Sequence, residues 1–435
     1  MLSSVGCLAI LSLAVPEARA TSAGGDAGLN GAGALALSLP SSTSVALFYN
    51  ARANKPMWLA SPGAAGALIS TLRRASLDGF SDGPKLATAA ELAVQAANNG
   101  DQVARDDAER LLSGAWVLYV QALNWPTAGM IYADPALAPK IPSPDVILAQ
   151  AATTSSLTDH VRRVSSVNRF YAQLREAAWN QSQLGTGEAP RALLANLERA
   201  RALPASGRFV MVDLATQRLF MMNGDAVEGV MKVVVGTTDM KTPLMAGRIH
   251  QVTYNPYWNV PVDLVRDRVA PNVLKSGVRY LSGKSYEVLS DWTDKAIVVD
   301  PTSVNWQAVR EGRIEVRVRQ RPGGSNMMGQ LKYEFPNTHG IYLHDTPDKG
   351  LFASTQRTFS SGCVRLEDAQ RLGRWLIGAE PVAPSTAPET NVALKVAVPV
   401  FLTYLTARPG ADGLAYVPDV YALDGEARTP QIAAR

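Results

Sequence analysis

The chain has 435 residues, 47% of them hydrophobic and 18% charged, with a formal charge of +4 at neutral pH. That length allows two or three domains with a sizeable core, and the balance of apolar and charged residues excludes a disordered chain. Lys and Arg are scattered, with no basic run interleaved with aromatics, which argues against a nucleic-acid partner; an anionic polymer such as a cell wall suits the charge, and so does solubility alone.

Residues 1–20 run from an apolar stretch, Val5 to Val15, into Ala18-Arg19-Ala20, the small-x-small form of a signal peptidase site, although no Lys or Arg precedes the stretch. Export is therefore expected, and no later stretch reaches the roughly 18 to 20 apolar residues that span a bilayer. Residues 21–44, rich in Gly, Ala and Ser at their start, read as a flexible lead-in. A helical scaffold without chemistry is expected over 45–203. Leu68, Leu72 and Ala75 recur at helical spacing until Leu77-Asp78-Gly79 turns the chain. Asp106 and Asp107 open a helix reaching Leu123, with an apolar face of Leu111, Ala115, Leu118 and Ala122. Val161 to Trp179 and Arg191 to Ala202 supply two more.

At Pro204 the period changes to alternation, and a mostly β domain is expected over 204–425, so the fold class is α+β. Arg208 to Asp213 and Arg218 to Met222 are strands, with Asn223-Gly224 as a tight hairpin turn. Met231 to Val235, His250 to Tyr254, Ala296 to Val299 and Arg313 to Val318 continue the domain. An insertion of mixed, partly helical character over about 262–326 reads as a lid, since long insertions in a compact domain are usually lids or binding loops. Glu380 to Asn391 is a Pro and Ala rich spacer, followed by a strand from Leu394 to Leu405, a hairpin ending near Tyr421 and a tail over 426–435. No internal repeat, metal-ligand spacing or cofactor motif occurs.

Chemistry concentrates in His339-Gly-Ile-Tyr-Leu-His344-Asp345 and Ser360-Ser-Gly-Cys363-Val-Arg365. The two cysteines are Cys7, inside the expected signal, and Cys363. A solitary exported thiol is either a buried, inert side chain or a nucleophile. Of the four histidines, two lie within 25 residues of Cys363, which favours the nucleophile. His344, at the end of an alternating strand with Ile341 and Leu343, is the expected base; His339 is expected to be structural. Glu367 to Ile377 has helical composition, so a helix N-terminus just after Cys363 is expected to favour thiolate. Gly362 is expected to free consecutive N–H groups, including that of Cys363, for an oxyanion.

These segments resemble the catalytic signature of the YkuD-type L,D-transpeptidases. Ile341-Tyr-Leu-His-Asp-Thr-Pro347 with Ser360-Ser-Gly-Cys-Val-Arg365 resembles the YcbB-like branch, in which Ser-Gly-Cys replaces His-Gly-Cys, so Ser361 stands where most relatives carry a second histidine. Asn255-Pro-Tyr-Trp-Asn-Val-Pro261, Asn196-Leu-Glu-Arg199 and the Tyr404 to Tyr421 hairpin match as well. The resemblance implies a YkuD-like catalytic domain, a periplasmic location in a Gram-negative envelope, peptidoglycan tetrapeptide stems as donor and acceptor, carbapenem acylation and no cofactor or metal. Cys363 would form an acyl-enzyme on the third stem residue, diaminopimelate, releasing D-Ala and yielding a 3-3 crosslink. The Asp345 backbone carbonyl would orient His344. Tyr342, Ser361, Arg365 and Trp258 are substrate-binding candidates, and Arg365 reads equally as a structural ion pair. The stretch Asn180 to Pro190 is too short for the peptidoglycan-binding module of larger relatives. Competing readings are an L,D-carboxypeptidase or other cysteine hydrolase acting on wall peptides, and a non-catalytic wall-binding protein.

Overall fold

The computed structural model describes residues 35–36, 38–99, 101–184, 190–410 and 413–426. The expected signal segment with Cys7, the lead-in up to residue 34, the short stretch 185–189 and the tail from 427 lie outside the described residues.

The N-terminal half is helical: α1 (Ser42–Ala51), α2 (Ala64–Arg73), α3 (Gly83–Asn99), α4 (Gln102–Leu123), α5 (Pro144–Thr153), α6 (Leu157–Ser166), α7 (Arg169–Leu184) and α8 (Arg191–Arg201), with the two-residue strand β1 (Ile131–Tyr132) between α4 and α5. The core already includes Ala36 and Leu39. α4 is its axis and starts at Gln102 rather than Asp106, because Asp101 accepts from the Ala104 N–H at 3.1 Å and supplies the cap. Leu111, Ala115, Trp116 and Tyr119 of α4 are fully buried. Two buried carboxylates pin loops to this core. Glu109 accepts from the backbone N–H groups of Met57, Trp58 and Leu59 at 2.7 to 3.1 Å, and Asp78 is held bidentately by Arg175 at 2.5 and 2.7 Å.

After α8 come β2 (Arg208–Asp213), β3 (Arg218–Asn223), β4 (Ala226–Gly236), β5 (Met245–Tyr254), β6 (Trp258–Val260), the helices α9 (Val262–Leu264), α10 (Ala270–Ser276) and α11 (Arg279–Gly283), β7 (Tyr286–Leu289), β8 (Val298–Val299), α12 (Trp306–Arg310), β9 (Arg317–Gln320), β10 (Leu331–Glu334), β11 (Leu343–His344), β12 (Thr358–Ser360), β13 (Val364–Leu366), α13 (Ala369–Ile377), β14 (Thr390–Thr403), β15 (Ala407–Gly410) and β16 (Gly413–Tyr416). Pairing of β5 with β14 closes the path β5-β10-β11-β13-β4-β3-β2-β14 into a ring, to which β1 and β12 are appended. Val210, Val233, Leu331, Tyr333, Leu343 and Val364 fill the inside. By the two-residue period, Lys332, His344 and Arg365 then point outward. They are register partners in a row, Lys332 opposite His344 and His344 opposite Arg365.

The insertion has its own sheet, in the order β6-β9-β7-β8, and its own core around Val265, Val269, Leu281, Trp306 and Val318. Of the strands expected to continue the domain, Ala296 to Val299 and Arg313 to Val318 fall in this separate sheet, the first shortened to β8 and the second displaced toward the C-terminus as β9. Strand composition encodes a pleated backbone but not its partner. The molecule is thus α+β, a helical scaffold followed by a mostly β domain with a folded insertion.

Candidate active site

Cys363 lies in the turn between β12 and β13, and the turn is clamped from two sides. Ser360 Oγ donates to the Cys363 carbonyl at 2.6 Å and accepts from the Gly362 N–H at 3.2 Å. Thr242 Oγ1 donates to the Gly362 carbonyl at 2.7 Å and accepts from the Gly236 N–H at 2.9 Å, while Tyr421 donates to the Gly236 carbonyl at 2.6 Å. Gly362 has φ +112°, and a Cβ there would stand 3.3 Å from Ile341 Cδ1, so the turn requires glycine. The expected oxyanion pair is corrected at this point: the Gly362 N–H is committed to Ser360, whereas that of Cys363 donates to no other group among the described residues.

The helix-dipole expectation is also corrected. α13 begins at Ala369, capped by Asp368, which accepts from Arg371 N–H at 2.9 Å. All of β13 lies between it and Cys363, and helix-end effects fall off within a turn. Three residues are too few for periodicity to distinguish a strand from a helix's first turn. The half-buried thiol donates to the Gly340 carbonyl at 3.4 Å rather than to the imidazole. Burial pushes its pKa up, opposed by the Tyr342 backbone N–H and by the charges of Arg365 and Lys332.

His344 is 4% exposed at the end of β11. Its Nδ1 lies 2.5 Å from the Asp345 carbonyl oxygen. A carbonyl only accepts, so Nδ1 carries the proton and Nε2 keeps its lone pair. Burial first, then the Arg365 charge, lowers the His344 pKa to about 4, so the ring is neutral at pH 7. The Asp345 carboxylate has a separate task, accepting from Gln330 N–H at 3.0 Å and pairing with Lys349 at 2.8 Å.

Cys363 and His344 line one cavity of about 410 Å³, together with Tyr342, Ser361, Arg365 and, from the insertion's side, Tyr257 and Trp258. All four expected substrate-binding residues are therefore brought to the site. Arg365 forms no ion pair within 4 Å among the described residues, and the nearby charges that favour its protonated form are those of Cys363 and Asp348. Tyr342 is half-buried, with the Lys332 ammonium 5.3 Å from its ring centroid. Ser361 is exposed on the rim. His339 is exposed there too, its Nδ1 3.3 Å from the Thr338 hydroxyl. Within the insertion, Tyr280 packs on Tyr286 at 6.3 Å and Arg266 pairs with Asp267 at 2.6 Å, while Trp292 is exposed. Thr242, Tyr421 and Lys332 are site-forming residues that sequence reasoning did not find. Among the described residues no group of three or more His, Cys, Asp or Glu is arranged to hold a metal ion, and no helix is long and apolar enough to cross a membrane.

Comparison with known proteins bears on this geometry. Residues 207–387 match the model of the YkuD L,D-transpeptidase catalytic domain, and residues 43–177 match that of a Scaffold domain. A Haemophilus influenzae protein named "Putative L,D-transpeptidase" is 28% identical over 323 residues, which are 72% of this chain and 64% of the relative. The chain thus spans less than two thirds of that relative's length.

Proposed function

From a chain that carries a YkuD L,D-transpeptidase catalytic domain joined to a Scaffold domain, we propose a peptidoglycan L,D-transpeptidase that works in the periplasm through an acyl-enzyme on Cys363. The observation that carries this reading is a thiol and a neutral imidazole, its Nε2 lone pair unused, lining one cavity.

In the proposed cycle Sγ attacks the carbonyl joining diaminopimelate to the terminal D-Ala of a donor stem, and the thiol proton passes to His344 Nε2. The Cys363 N–H donates to the oxyanion that forms. Collapse of the intermediate breaks the peptide bond, and His344 returns the proton to the departing amine of D-Ala. A side-chain amine of a second stem then attacks the thioester, gives its proton to His344 and releases the thiol, leaving a 3-3 crosslink. The unpaired Arg365 guanidinium is the candidate for a stem carboxylate, and Tyr342, Ser361 and Trp258 are candidates for stem contacts.

Incubating the protein with disaccharide-tetrapeptide and weighing the products tests the reading. A dimer lighter by one D-Ala per crosslink is expected from the native chain and none from Cys363→Ala, and a carbapenem should add its mass to the former only. Equal dimer from both would end the cysteine mechanism. Tripeptide without dimer would mark a hydrolase.

A further inference from the structure

The Pro and Ala rich segment before β14 carries a carboxylate that reaches the cavity from behind. Glu389 has φ +50°, a left-handed conformation that side chains rarely adopt, and so does its partner Asn255. The Glu389 N–H donates to the Asn255 carbonyl at 2.9 Å, and the Asn255 side chain donates to the carbonyls of Ser385 and Ala387 at 3.3 Å. The segment is thereby tied to the root of the insertion.

The carboxylate then faces two ways. Oε1 accepts from the Tyr257 N–H at 2.8 Å, and Oε2 lies 3.6 Å from Lys332 Nζ. Inward, Lys332 lines the cavity with its ammonium over the Tyr342 ring. Outward, the Tyr257 ring lies 4.0 Å from the Arg319 guanidinium, and Arg319 pairs with Glu287 at 2.8 Å within the insertion's sheet. Tyr342, Lys332, Glu389, Tyr257 and Arg319 are thus in continuous contact from cavity floor to lid. Lys332 also pairs with Glu334, so its charge is compensated without Glu389. Two uncommon backbone conformations are kept where charge balance does not require them.

We propose that Glu389 is a positioning residue, a strut that fixes the root of the insertion against the cavity floor and so sets how closely the insertion covers the thioester while an acceptor amine arrives. The reaction it serves rests on the transpeptidase reading; the strut itself does not.

The test uses the full chain with Glu389→Ala and Glu389→Gln, the latter keeping an oxygen for the Tyr257 N–H without the charge. Hydrogen exchange over 256–262 should quicken at least tenfold in the alanine variant and less in the glutamine one. Alkylation of Cys363 by iodoacetamide should stay within twofold of the native rate, which shows that the turn is intact. The ratio of crosslinked dimer to tripeptide should fall severalfold, with donor acylation unchanged. Native exchange over 256–262 in the alanine variant overturns the proposal, and so does a loosened root with an unaltered product ratio. Absence of dimer from the native chain would instead defeat the transpeptidase reading, and the exchange data would still decide the strut.

Discussion

At the reacting pair the two acidities are displaced in opposite directions, the thiol upward and the imidazole downward to about 4. At pH 7 both are neutral, so in the proposed cycle the proton crosses as sulfur attacks instead of residing beforehand on an ion pair. The acid limb of kcat/KM against pH should therefore lie near 4, with no inflection near 6.5; an inflection at 6.5 would mean that His344 is solvated or is not the base. The same displacement affects stability. A folded pKa below the unfolded one means that the unfolded state binds more protons between about 6.5 and about 4, so stability falls as pH drops through that window, by on the order of 3 kcal/mol. His344→Ala should flatten that part of the curve and cost about a hundredfold or more in rate, whereas His339→Ala, at an exposed rim position, should be milder. Cys363 and His344 can be read from the chain because one downstream cysteine and four histidines leave few pairings. Thr242 cannot, because its hydrogen bond to Gly362 spans 120 residues and leaves no local pattern.

At the level of elements, the insertion is a small folded unit and not a slack loop. β6 and β9 enter and leave it as an antiparallel pair, with Val260 opposite Val318. Residues 261–317 can therefore be replaced by a short Gly-rich turn without stretching the chain. The barrel strands are untouched by that excision, so Cys363 should still take up a small acylating agent. Products are expected to shift from dimer toward tripeptide as water gains access; an unchanged ratio would place acceptor choice elsewhere. The insertion's partly helical nature is legible in the sequence, as are the strands after Pro204, because alternation is local; the insertion's expected end at 326 overshoots β9, which closes the pair with β6 at Gln320. Which sheet β8 and β9 join is not legible, and neither is β13, whose three residues follow Cys363 directly. Pairing of this kind is decided by the packing of the whole barrel, as in the alternation of inward Leu343 and Val364 with outward His344 and Arg365.

Across the whole molecule, the scaffold and the barrel share a polar seam. Arg199 of α8 donates to the Tyr404 carbonyl at 3.2 Å and pairs with Asp424 at 2.9 Å, and both side chains are nearly buried. Asn196 donates to Thr406 Oγ1 at 2.7 Å and accepts from the Ala407 N–H at 3.0 Å. Removing one partner of a buried pair leaves an uncompensated charge, so Arg199→Met should cost about 3 to 5 kcal/mol in denaturant titration; a loss below about 1 kcal/mol would show that water reaches Asp424. β1, which lies within the scaffold half, pairs in parallel with Met245 and Ala246 of β5. The change of period at Pro204 is therefore a boundary in the chain and not in the sheet. A fragment begun at that point would bare the hydrogen-bonding groups at the start of β5, around Met245 and Ala246, and such an edge recruits other strands, a second copy's included. For anyone expressing the protein in pieces, the helical half is a guard against aggregation, and a fragment meant to stay monomeric has to keep Ile131 and Tyr132.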